Sequence, residues 1–180
     1  MNRTQQLRLL VFSACLLASR PLLAQEPQAE TVASGSEIGF HVGPLLPNQV
    51  EGMTEIQPMW GPRYSMAFRK GFLEASFANS RANGVIYYNG FMSYRYDITI
   101  EGMTALLYAG LDFHQWSSPP EDTTRMVGGG HVGGGMQFPV GDSMWFRSEM
   151  KFNLNPGTAL YIGFGFMIRM PDGGGGGGAE

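Results

Sequence analysis

The chain has 180 residues, enough for about one domain, with 15% charged residues, a mean hydropathy of −0.10 and a formal net charge of −3. No stretch of about eighteen consecutive apolar residues occurs, which excludes a helical membrane span, and no basic field exists to hold nucleic acid. A single cysteine, Cys15, excludes an internal disulfide, and 26 glycines argue against a coiled coil.

Residues 1–24 predict a secretory signal peptide. Arg3 and Arg8 give a positive start, and Leu9 to Ala18 is a short apolar run. Cleavage is expected after Ala24, with Ala18 as the second site. Cys15 sits inside the apolar run and is read as a small apolar residue of a discarded peptide, with lipidation as the alternative. Removing 1–24 removes three arginines and no acid, so 9 basic and 15 acidic residues remain, for a net charge of −6. Residues 25–34 follow as a linker.

From residue 35 to 170 the hydrophobic period is two, the period of a strand. Strand patterns are expected near 36–43, 54–69, 72–79, 85–97, 104–116, 127–138, 143–154 and 159–170. The last is the clearest. Leu160, Ile162, Phe164, Phe166, Ile168 and Met170 alternate with Ala159, Tyr161, Gly163, Gly165, Met167 and Arg169. Phe91 and Leu106 fall on the polar parity, and Pro58 and Pro62 interrupt the second pattern. Connections alternate in length. Turn-rich stretches at 44–53, 80–84, 117–126 and 154–157 are separated by tight turns at Lys70-Gly71 and Gly141-Asp142 and a looser one at 99–103. Residues 171–180 contain six consecutive glycines and read as a flexible tail.

This predicts an all-β fold, a closed eight-stranded antiparallel up-and-down transmembrane β-barrel. The alternative is a soluble lipocalin-like binding barrel, in which the apolar parity would face inward. Charge decides between them. The polar parity carries Glu37, Arg63, Arg69, Glu74, Arg95, Asp112, Arg147, Glu149, Lys151 and Arg169, six bases against four acids. That near balance suits an interior where each charge is paired, and the glycines of the same parity suit a crowded lumen. Aromatic residues near the strand ends, among them Trp60, Tyr94, Tyr96, Phe113 and Phe138, fit interfacial girdles.

The signal peptide, the eight short alternating strands and the last strand near the C-terminus resemble the small outer-membrane barrels of the OmpA transmembrane-domain and OmpX type. The resemblance covers about residues 35–170. It implies a Gram-negative outer membrane, contact with its lipid and lipopolysaccharide, and insertion by barrel assembly machinery. The machinery's signal would be Gly163 to Met170, which ends in methionine rather than an aromatic residue.

A barrel of eight strands is just wide enough for its side chains to fill. The expected role is therefore non-enzymatic, structural or surface-interacting, with a lumen plugged by charge and no large pore. No cofactor is expected, and the ligand of the outer loops is unidentified. A lipid-modifying hydrolase is the alternative, with His114, Ser117 or Ser118 and Glu149 as its candidates. A metal site is a further, speculative reading, because His41, His114 and His131 share the inward parity with Asp112.

Overall fold

A computed structural model describes residues 34–50, 53–82, 84–118, 123–155 and 157–170. The expected signal peptide 1–24, the expected linker up to residue 33 and the expected tail 171–180 lie outside the described residues. So do Asn83, Pro119-Pro120 and Pro156 of the expected turns.

Eight strands follow one another: β1 Ser36–Asn48, β2 Gln57–Phe68, β3 Gly71–Ala82, β4 Val85–Ile100, β5 Met103–Ser118, β6 Thr123–Pro139, β7 Met144–Asn153 and β8 Thr158–Met170. Each pairs antiparallel with its sequence neighbours, and β8 returns to β1, so the sheet is a closed barrel without edges along its length. The pairing also fixes the stagger. Stepping across the sheet from Ser36 leads through Met66, Leu73, Tyr94, Ala109, Val132, Phe152 and Leu160 back to β1 at Leu46, ten residues from the start. With a rise of ~3.3 Å per residue and ~4.8 Å between strands, that stagger tilts the strands by about 40°.

The two parities separate cleanly. Ile38, Phe40, Val42, Leu107, Leu111, Met150, Phe152, Phe164, Phe166 and Ile168 are all exposed, Leu111 at 68%. Glu37, Arg63, Glu74, Arg95, Arg147 and Lys151 are buried. Greasy side chains thus cover the outside and ionised ones fill the inside. A soluble lipocalin-like barrel has the opposite arrangement, so that alternative is excluded. Trp60, Tyr94, Tyr96 and Phe113 face outward as expected of girdle residues.

Pro44 and Pro62 each sit at an interruption of one ladder. Pairing between β1 and β8 skips from Val42–Phe164 to Leu45–Tyr161, and Pro44 lies in that gap. Pairing between β2 and β3 skips from Trp60–Asn79 to Arg63–Ser76, across Pro62. A residue without an N–H is tolerated at such an interruption. In consequence β1 runs on to Asn48 through a stretch expected to be loop. The expected loop 117–126 shrinks in the same way, because β5 reaches Ser118 and β6 begins at Thr123.

Arg69 corrects another expectation. The second strand ends at Phe68, and Arg69 takes a left-handed φ of 56° in the turn to β3. It is exposed, with its guanidinium over the Phe68 ring, so it is not part of the interior charge set.

Candidate functional site in the barrel lumen

The lumen is built in levels. At the end where β1 begins and β8 finishes, Glu37 of β1 is shared by Arg95 of β4 and Arg169 of β8. The contacts are Arg95 Nη1 to Glu37 Oε2 at 2.8 Å and Arg169 Nε to Glu37 Oε1 at 3.0 Å. Arg95 also holds Asp97 with both Nε and Nη2, at 2.7 and 2.9 Å, and its guanidinium lies 4.3 Å from the Phe72 ring centre.

The middle level spans the barrel. Arg147 of β7 donates to both oxygens of Glu74 on β3, at 2.6 and 3.1 Å. Strands β3 and β7 lie opposite one another in an eight-strand ring, so this pair crosses the lumen along a diameter. Arg63 of β2 donates to Glu149 of β7 through Nη1 at 2.9 Å and through Nη2, and its Nε lies 3.5 Å from Glu74. Tyr108 donates its hydroxyl to Glu149 at 3.3 Å. Gly133 makes that possible, since a Cβ there would lie 2.5 Å from the Tyr108 ring.

Above this level stands Phe91, 6% exposed. Lys151 Nζ lies 3.8 Å from its ring centre and the Arg63 guanidinium 5.6 Å, while the His41 and His131 rings meet it edge to face. The ring separates two polar clusters and gives each a face for its cation. We expect Phe91→Leu, which keeps most of the apolar volume, to lower the unfolding free energy by about 1–2 kcal/mol, a loss of cation–π attraction in a desolvated site. Denaturant unfolding of the folded barrel measures it, and an unchanged midpoint would show the ring to be filler.

The second polar cluster joins β4, β5, β6 and β7. Lys151 donates to Asn89 Oδ1 at 2.9 Å and to Asp112 Oδ1 at 3.2 Å. His131 donates from Nδ1 to Asp112 Oδ2 at 2.9 Å, and Ser93 Oγ lies 2.7 Å from His131 Nε2. Ser93, His131 and Asp112 thus stand in the hydrogen-bond order of an acyl-transfer triad. Ser93 is 2% exposed among the lumen side chains, and the three hydrogen-bonded residues tie β4, β5 and β6 together. The local cause is Gly110, which pairs with Ser93 on one side and His131 on the other and puts no side chain between them.

The three inward histidines do not converge. His41 is held by Tyr161 and Ser76, at 2.7 Å from Nδ1 and 2.8 Å from Nε2. His131 is held by Asp112 and Ser93, and His114 by the Tyr87 hydroxyl, 2.6 Å from Nδ1. Among the described residues no group of three or more metal-ligating side chains stands together. The hydrolase candidates are likewise separated. Ser117 lies on the parity opposite to His114, and Glu149 is engaged by Arg63 and Arg147 in the other cluster. Ser118's side chain lies outside the described ones.

At the loop end the lumen is capped by apolar side chains, which the parity reading missed. Leu45, Met59, Tyr87 and Trp116 pack with Val50 and Met53, which come from the segment after β1. A backbone bridge between Val50 and Met53 turns that segment inward. The signal was present in the sequence as Leu45, Leu46, Val50 and Met53 within the turn-rich stretch 44–53.

No family model matches the chain, and no curated protein sequence matches it. Solved structures do. Neisserial surface protein A superposes with a TM-score of 0.61 at 10% identity, over 75% of this chain and 96% of that one. The N-terminal β-barrel domain of Pseudomonas aeruginosa OprF gives 0.60 at 10% identity, over 77% of this chain and all of that one. The chain has the fold of the small outer-membrane β-barrels. A designed transmembrane β-barrel matches as well, with a TM-score of 0.52 at 12% identity, over 81% of this chain and 98% of that one. Fold and exterior agree. An apolar outer surface on a closed barrel is stable in hydrocarbon, and this barrel carries one around all eight strands.

Proposed function

We propose that the barrel is a non-enzymatic outer-membrane protein with a closed lumen, acting as a structural or surface-interacting component of a Gram-negative envelope. The observation that carries this reading is the Glu74–Arg147 pair across the diameter, flanked by Arg63, Arg95 and Glu149. Charges joined in this way fill the cross-section, and the apolar cap at the loop end adds a second closure. Any interaction then falls to the exterior and the loops. The outward apolar face would contact lipid and the acyl chains of lipopolysaccharide. The final strand Thr158–Met170 would be read by barrel assembly machinery during insertion. The interior charges act as a register lock, since a one-residue slip would turn every one of them into lipid.

Planar-bilayer recording tests the closed lumen. We expect no large, steady, water-filled conductance from the purified barrel. Sustained conductance of porin size would overturn the reading.

A further inference from the structure

The turn between β2 and β3 consists of Arg69 and Lys70, and both are exposed. Arg69 holds the first position with its φ of 56°, where a two-residue hairpin turn favours glycine or asparagine. A left-handed backbone costs a long side chain free energy, and residues kept in that state gather at working sites.

The surroundings of the turn supply the reason for an arginine there. Its guanidinium lies 5.3 Å from the centre of the Phe68 ring, and that ring stands on the apolar outer face at 42% exposure. The cation is thereby held at the rim of the greasy surface, the depth of a lipid headgroup. A hydroxyl reaches the same place. A Cβ on Gly71 would lie 2.9 Å from both Cζ and the hydroxyl oxygen of Tyr94, so the glycine that follows the turn makes room for the polar end of that ring. Acids at this end are engaged or sit elsewhere. Glu37 and Asp97 are held by Arg95, and Glu101 and Asp142 lie in the β4–β5 and β6–β7 turns. Arg69, Lys70 and the Tyr94 hydroxyl thus form a cationic, hydrogen-bond-donating corner above an apolar bed.

We propose that this corner binds the phosphate of an anionic phospholipid, in the leaflet that meets this end of the barrel. A phosphodiester oxygen would accept from the Arg69 guanidinium and from the Tyr94 hydroxyl, Lys70 would add its charge, and an acyl chain would lie along Phe68 and Met66. A zwitterionic headgroup brings its own ammonium and gains less from the two cations. The inference deepens the lipid contact proposed above and rests on it. A barrel that does not insert fails in every lipid, whereas failure of the site leaves an inserted barrel indifferent to headgroup charge.

The full chain folded in uncharged maltoside micelles and titrated with dihexanoyl-phosphatidylglycerol tests the site by NMR. The backbone amides of Arg69, Lys70 and Gly71 should shift saturably. Dihexanoyl-phosphatidylcholine should need at least about fivefold more lipid for the same shift, the factor for one basic residue at an anionic surface. Arg69→Gly keeps the left-handed turn, because glycine adopts that φ without strain, and should weaken the anionic lipid about fivefold. Tyr94→Phe should weaken it about threefold, as for one hydrogen bond. Arg81→Gln, which removes an exposed cation at the opposite end of β3, should leave binding unchanged. Equal responses to the two lipids, or Arg69→Gly binding as tightly as the unaltered chain, would overturn the proposal. Equal shifts at Arg81 and at the turn would overturn it as well, since they would mean diffuse attraction to any surface cation.

Discussion

Glu74→Leu is expected to lower the unfolding free energy of the barrel by about 3–5 kcal/mol, the range for removing one partner of a buried ion pair. Glu74 is wholly buried and serves Arg147, Arg95 and Arg63 together, at 2.6, 3.1 and 3.5 Å, with Ser65 donating a fourth contact at 3.1 Å. Its loss leaves three guanidiniums facing one another with Glu149 as the nearest remaining acid to two of them. Charge repulsion and an unmet desolvation cost then act in the same direction. Arg169→Leu provides the contrast. Its side chain is 35% exposed at the open end of the lumen, and Glu37 keeps Arg95 when it is gone. There the expected loss is within about 1 kcal/mol, as for surface pairs. Urea unfolding of the two variants beside the unaltered barrel, in one lipid, measures both. Equal midpoints for Glu74→Leu and the unaltered barrel would mean that the charges are hydrated rather than sealed.

What the sequence displayed was which face each residue takes. Period-two alternation placed Glu37, Arg63, Glu74, Arg95, Arg147 and Lys151 inside and the Leu160 to Met170 stripe outside; the structure buries the six charges and exposes Phe164, Phe166, Ile168 and Met170, with Leu160 and Ile162 half-buried. It also put Phe91 and Leu106 inward, where they looked like faults in the pattern. Both are buried lumen residues, and Phe91 carries the cation contacts. Parity could not show level. Whether His41, His114 and His131 meet depends on the ten-residue stagger around the barrel, and no single strand contains that quantity. A partial signal existed in the glycines. His41 pairs with Gly61 and Gly165, and Gly110 stands between Ser93 and His131, so large inward side chains lie beside residues that have none. Reading inward glycines as spaces for their neighbours would have set those two registers. Arg69 failed for a local reason: the turn takes it out of the strand, and alternation has no meaning past the last paired residue.

The second large effect tests the outer face. Leu111 lies near the middle of β5, points outward and is 68% exposed. We expect Leu111→Arg to cost about 2–4 kcal/mol when the barrel is folded into phospholipid vesicles, because an arginine at the bilayer midplane loses its water. Met126→Arg, at the loop end of β6 and 63% exposed, is expected to cost only about 0–1 kcal/mol, since its head reaches the interface. Exposure is nearly the same at the two positions, so only depth distinguishes them. On a barrel surrounded by water, both changes would fall within about 0.5 kcal/mol, as surface substitutions do. Urea titrations of both variants in vesicles separate the two environments. A depth-dependent penalty requires hydrocarbon at Leu111, whereas two small and equal changes would place water against the apolar face and remove the reason for the charges to be inside.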